Sequence, residues 1–198
     1  DFGSDNDIRY DAATGTINTL TVFSGNELHI ASSTTFAPGG DIMIYGNASS
    51  TSFDGSLHID DNATFTGSAT STYTLAGSFT MDTGATFTAA STTVIMNATT
   101  TGKTITTIAG QEISFNNLQF TGVGGGWNIN GNTRALGNIA VSTGTVSGTA
   151  NITVVNGSLS GNGLLSMGSG TTTVGNTNTL GGTTAWTFAN LVLGNGTV

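Results

Sequence analysis

The chain has 198 residues, three basic against eleven acidic, only 7% of them charged and none of them cysteine. That balance excludes a nucleic-acid binder, which needs clustered Lys and Arg against the phosphates, and it excludes a disulfide-stapled fold. No apolar run approaches the ~20 residues of a membrane-spanning helix, so no membrane insertion is expected.

Thr is the commonest residue at 39, and Thr, Val and Ile together number 62. These β-branched side chains fit a pleated sheet and lose rotamer freedom in helices. Glu, Lys and Arg, the polar helix formers, total five. An all-β fold is the expectation.

Residues 1–20, DFGSDNDIRYDAATGTINTL, read as an acidic N-terminal cap or linker. The chain opens on Asp1 rather than Met, which reads as a mature or excised segment. DNDIRYD at 5–11 is acidic enough for Ca²⁺. It fails the EF-hand pattern, because Arg9 stands where the third oxygen ligand belongs.

Residues 21–112 form a region of 15- and 22-residue repeats. GNELHIASSTTF (25–36) and GDIMIYGNASSTSF (40–53) are loose copies 15 apart. GSLHIDDNATFTGSATSTYTLA (55–76) and GSFTMDTGATFTAASTTVIMNA (77–98) match at an offset of 22. Period-two alternation points Leu57, Ile59 and Phe65 inward and His58, Thr64 and Thr66 outward. Phe65 and Phe87 should then stack in the core.

Residues 113–198 hold no acid and one base, Arg134. A short phrase recurs every 13 residues, aligning Asn138-Ile139, Asn151-Ile152 and Leu164-Leu165, and also Gly144, Gly157 and Gly170. Thirteen residues are either a whole coil or part of one. FNNLQF (115–120) and FANLVL (188–193) echo each other at an offset of 73.

Units this short cannot bury their apolar residues alone, whereas stacked copies can, each strand pairing with its equivalent in the next copy. The expected architecture is a parallel β-solenoid with Gly and Asn at corners that need positive φ. The alternative is two antiparallel β-sandwich domains divided near residue 112.

Thr-Gly-Lys-Thr-Ile (101–105), Phe-x-Asn-Leu-x-Phe (115–120) and Gly-Gly-Gly-Trp (124–127), with GGTTAWTFANLVLGNGT (181–197), carry a resemblance. They resemble repeats of very large extracellular proteins of uncultured, small-genome bacteria. More distantly they are similar to autotransporter passenger domains and filamentous haemagglutinins. The resemblance covers about residues 70–198. It implies a right-handed parallel β-helix at the cell exterior, used for adhesion or as a stalk, and it transfers no catalytic residue.

Each candidate site has a plainer structural explanation. TGKT at 101–104 lacks the upstream Gly and the following helix of a phosphate-binding loop, so Lys103 reads as an exposed corner residue. GVGGGW (122–127) lacks the third glycine of a dinucleotide fingerprint and reads as a flexible corner covered by Trp127. Trp127 and Trp186 are candidate stacking platforms for sugars, against burial as caps of the core.

His29 and His58 sit in matching Leu-His-Ile triplets. A metal site needs further ligands, and the intervening copy offers Met43, so exposed, solvated histidines are expected. Asp60 and Asp82 fall in one column, with Asp61 beside them. They are a candidate Ca²⁺ site or a glycosidase acid–base pair, against turn carboxylates splayed into water. The six Asn-x-Ser/Thr sequons are about what the composition alone produces.

The expected function is non-enzymatic. The chain reads as an extracellular or cell-surface β-solenoid rod, the subunit of a fibre that joins to itself through an assembly edge of Leu191, Val192, Leu193 and Val198. The alternatives are a segment of a long adhesin or stalk with a cell-surface or polysaccharide ligand, and a polysaccharide-active β-helix enzyme or tailspike. No cofactor is expected beyond the Ca²⁺ candidate.

Overall fold

The computed structural model of the chain describes residues 8–10, 14–15, 17, 19–22, 27–45, 55–175 and 179–194. The described residues contain strands and turns and no helix. Every strand pairing is parallel, and each joins a strand to its equivalent one coil later. The result is a β-solenoid of about eight coils. At a strand spacing of ~4.8 Å, eight coils give an axial length of about 38 Å.

Each coil has three faces. Face 1 runs through Ile8–Tyr10, Leu28–Ile30, Leu57–Ile59, Phe79–Met81, Lys103–Thr107, Gly126–Ile129 and Thr145–Gly148 into the start of Leu164–Val174. Face 3 runs from Leu20–Val22 through Ile42–Ile44, Thr72–Leu75, Thr93–Met96, Asn117–Phe120, Ile139–Val141 and Leu159–Ser160 to Leu180–Gly181. Face 2 has two stretches. One is Thr14–Gly15 to Thr86–Thr88; the other starts at Glu112–Phe115 and ends in the second half of Leu164–Val174. Faces 1 and 3 continue their ladders without interruption across residue 112. Thr187–Leu193 pairs along both halves of Leu164–Val174.

Alternation decides what is buried. Leu57, Ile59 and Phe65 are at most 1% exposed, while His58, Thr64 and Thr66 between them are half-buried on the outside. The 22-residue offset is a true coil, since Leu57 pairs with Phe79 and Phe65 with Phe87. Along face 2 the aromatic rings stack coil upon coil. Centroids lie 5.2 Å apart for Phe36–Phe65, 5.4 Å for Phe65–Phe87 and 5.6 Å for Phe87–Phe115, all tilted or edge-on as ring quadrupoles prefer.

The 13-residue phrase is not a coil. Ile139 pairs with Leu159, 20 residues on, rather than with Ile152. Ile139 lies on face 3, Ile152 on face 2 and Leu165 on face 1. Thirteen residues therefore advance the chain by two faces of three, and the Asn138 and Asn151 copies of the phrase open their faces with the same corner chemistry. The 15-residue echo fails for the same reason, because Leu28–Ile30 belongs to face 1 and Ile42–Ile44 to face 3. The 73-residue echo also changes faces, with Leu118 on face 3 and Leu191 paired to Thr172 on face 2.

That corner chemistry is a side-chain oxygen accepting the next coil's amide. Asn117 Oδ1 accepts from the Asn138 amide at 2.9 Å, and Asn138 Oδ1 from the Ser158 amide at 2.8 Å. A second column runs from Asn132 through Asn151 to the Thr171 amide. Polar corners thus satisfy amides that the ladders leave unpaired.

The Gly-rich run at 122–127 is a close approach rather than a flexible corner. A Cβ on Gly122 would lie 1.7 Å from the Ala98 carbonyl oxygen, and one on Gly125 2.0 Å from the same atom. Only glycine lets this corner settle onto the coil beneath it.

Candidate functional site

Face 1 carries both histidines of the chain on its outer side. His29 pairs in register with His58, so the two Leu-His-Ile strands lie directly on each other. Leu28, Ile30, Leu57 and Ile59 turn into the core, which forces both imidazoles outward. Their ring centroids are 4.6 Å apart with an interplanar angle of 8°, so the stacking distance is the strand spacing itself. Thr80 follows His58 in the column, and the backbone of Arg9 occupies the register position before His29.

Carboxylates close around the rings from the corner that follows the strands. The Asp60 amide bonds to the Ile30 carbonyl and the Asp82 amide to the Ile59 carbonyl, which places the two residues at equivalent corners of successive coils. Each aspartate reaches back to the histidine of the preceding coil. His29 Nε2 hydrogen-bonds Asp60 Oδ1, and His58 Nε2 hydrogen-bonds Asp82 Oδ2 at 2.9 Å. Asp60 Oδ1 also lies 3.7 Å from His58 Nε2. On the opposite side of the His58 ring, the buried carboxylate of Glu27 stands 3.6 Å from Nδ1. One ligand atom each from His29, His58 and Asp60 lie within 4.8 Å of one another. Two imidazoles and three carboxylates on three coils can share protons along the ladder or hold a cation.

The expected exposed, solvated histidines are therefore corrected. Their side chains are only 18% and 23% exposed and are engaged by carboxylates. Met43, expected between them from the looser repeat, lies instead on face 3, paired with Thr21 and Thr74. Of the three aspartates proposed for Ca²⁺, the fold brings Asp60 and Asp82 to the histidines. Asp61 instead accepts the Thr83 amide at 3.0 Å, as turn carboxylates do.

Lys103 is a second correction, since it is 4% exposed rather than an exposed corner. It shares the inward side of its strand with Ile105 and is in register with Trp127. Trp127 is 1% exposed and packs 5.1 Å from Phe120, which leaves no ring face for a sugar. Trp186 is half-buried, donates its indole N–H to the Gly163 carbonyl at 2.9 Å and meets Phe188 at 6.4 Å. Leu191, Val192 and Leu193 are exposed on the Thr187–Leu193 strand, and Val198 lies outside the described residues.

No helix among the described residues is long and apolar enough to cross a membrane. Comparison of the chain with protein-family models, with curated proteins and with solved structures found no match.

Proposed function

We propose that the chain is a structural protein of the cell exterior, a β-solenoid rod that joins end to end with copies of itself as the subunit of a surface fibre. The observation that carries this reading is the stack of about eight parallel coils, each strand in register with its equivalent in the next, a ladder that further coils can extend. Leu191 and Leu193 stand over Thr172 and Val174, which are core positions, yet they are 40% and 61% exposed. Among the described residues, Thr187–Leu193 pairs on one side only. A strand added here, by a second copy of the chain, continues the same ladder and covers these side chains. Covering the half or so of each leucine that is exposed contributes about 1 kcal/mol apiece. A nearly uncharged flank, with Arg134 the one charge after residue 112, lets identical surfaces meet without repulsion.

Electron microscopy of the purified chain over a range of concentrations tests this. Short rods should lengthen into filaments with a regular axial repeat. Truncation of residues 188–198, or the double change Leu191→Lys and Leu193→Lys, should leave single rods. Single rods of the parent chain at every concentration would reject the fibre and leave the stalk-segment reading in its place.

A further inference from the structure

We propose that His29, His58, Asp60 and Asp82 form a binding site for one divalent transition-metal ion of the Zn²⁺ type, which clips three successive coils together. The donor set decides the class of ion. Two imidazole nitrogens with carboxylate oxygens suit Zn²⁺, Co²⁺, Ni²⁺ or Cu²⁺, whereas Ca²⁺ takes an all-oxygen shell.

The geometry is close to what such an ion needs. The ligand atoms of His29, His58 and Asp60 lie within 4.8 Å of one another. Tetrahedral coordination with bonds of about 2.0–2.1 Å wants neighbouring ligand atoms roughly 3.4 Å apart. Rotation of partly exposed side chains closes that gap without moving the strands. His58 Nε2 hydrogen-bonds Asp82 at 2.9 Å and His29 Nε2 hydrogen-bonds Asp60, so the ion takes the place of the hydrogens in those two bonds, and Asp60 already lies 3.7 Å from His58 Nε2.

Glu27 supplies what metal-bound histidines usually have, a carboxylate at the other ring nitrogen. Its position 3.6 Å from Nδ1 holds the His58 ring with Nε2 directed at Asp60 and Asp82. Asp60 and Asp82, repeated one coil apart, repel each other unless a cation or proton stands between them. An ion here ties Leu28–Ile30, Leu57–Ile59 and the corner after Phe79–Met81, a region that the ladders hold with strands of only three residues each.

The test is titration of the full chain with Co²⁺ and with Zn²⁺, read by visible absorption and calorimetry, with thermal unfolding alongside. Saturation at one ion per chain is expected, with a Co²⁺ absorption band that Zn²⁺ abolishes and a rise in melting temperature of several degrees. His29→Thr, His58→Thr and Asp60→Asn should each weaken binding at least tenfold. Threonine suits the strand because Thr80 and Thr106 fill this column in the next coils. Asp61→Asn should bind as the parent does. Absence of saturable binding overturns the proposal. So does binding that survives the His29→Thr/His58→Thr double change, or displacement of Co²⁺ by Ca²⁺ at comparable concentration.

Discussion

Phe65→Ala tests whether the stacked rings of face 2 hold the solenoid together. Phe65 is fully buried and meets Phe36, Tyr73 and Phe87 with centroids 5.2, 5.3 and 5.4 Å away. Deleting the ring removes roughly 150 Å² of buried apolar surface, worth about 4 kcal/mol at ~25 cal/mol/Å². That falls within the ~3–5 kcal/mol usual for a buried Phe→Ala change. The site cannot collapse to recover it, because ladders on both sides fix the coil spacing. With a urea dependence of ~2 kcal/mol/M, the unfolding midpoint should fall by about 2 M. Phe65→Leu keeps most of the volume and should cost about 1.5 kcal/mol or less. Circular dichroism against urea reads both. A loss below ~1 kcal/mol for Phe65→Ala would refute a continuous ring stack at the core.

Gly122→Ala should be the harsher of two glycine changes, because its Cβ would meet the Ala98 carbonyl oxygen at 1.7 Å. Overpacking against backbone costs up to about 3 kcal/mol or more. Gly102→Ala meets nothing within 4 Å and carries only the strain of φ +85°, about 1–2 kcal/mol. Equal urea midpoints for the two variants would contradict the close approach of that corner. Asn138→Ala should cost about 1 kcal/mol and speed hydrogen exchange at the Ser158 amide, which loses its 2.8 Å acceptor. Asn138→Asp keeps an acceptor and should keep the protection; unchanged exchange in Asn138→Ala would remove the asparagine column from the account.

Much of the fold was legible because the signal was local. Alternation around Leu57, Ile59 and Phe65 assigned the inward face, and the 22-residue offset is an actual coil. The 13-residue phrase misled because corners, not coils, set its rhythm. Asn138 and Asn151 do the same work on different faces, so their likeness marks equal chemistry and not neighbouring positions. Lys103 is buried by the same rule, since Lys103, Ile105 and Thr107 alternate with Thr104 and Thr106 as in Leu57–Ile59 and Phe79–Met81.

The histidine site was hidden for a different reason. The two Leu-His-Ile triplets were visibly alike, but they are 29 residues apart, against 22 for the coil that follows. Only the fold removes Met43 from between them and sets the rings face to face. Asp60 and Asp82 were placed in one column correctly. Their histidine partners belong to the preceding coil, 31 and 24 residues away, a relation that exists only after stacking.

The coil register can be tested directly by paired cysteines, because the chain has no cysteine of its own. Ala140 and Ser160 are in-register neighbours on face 3, while Thr153 lies on face 2 beside Arg134. Adjacent strands ~4.8 Å apart fall within the Cα separation of ~4.4–6.8 Å that a disulfide spans. The double variant Ala140→Cys/Ser160→Cys should oxidise to an intramolecular disulfide, and Ala140→Cys/Thr153→Cys should remain reduced. Closure of the second pair and not the first would mean a 13-residue coil and would contradict the three-faced solenoid.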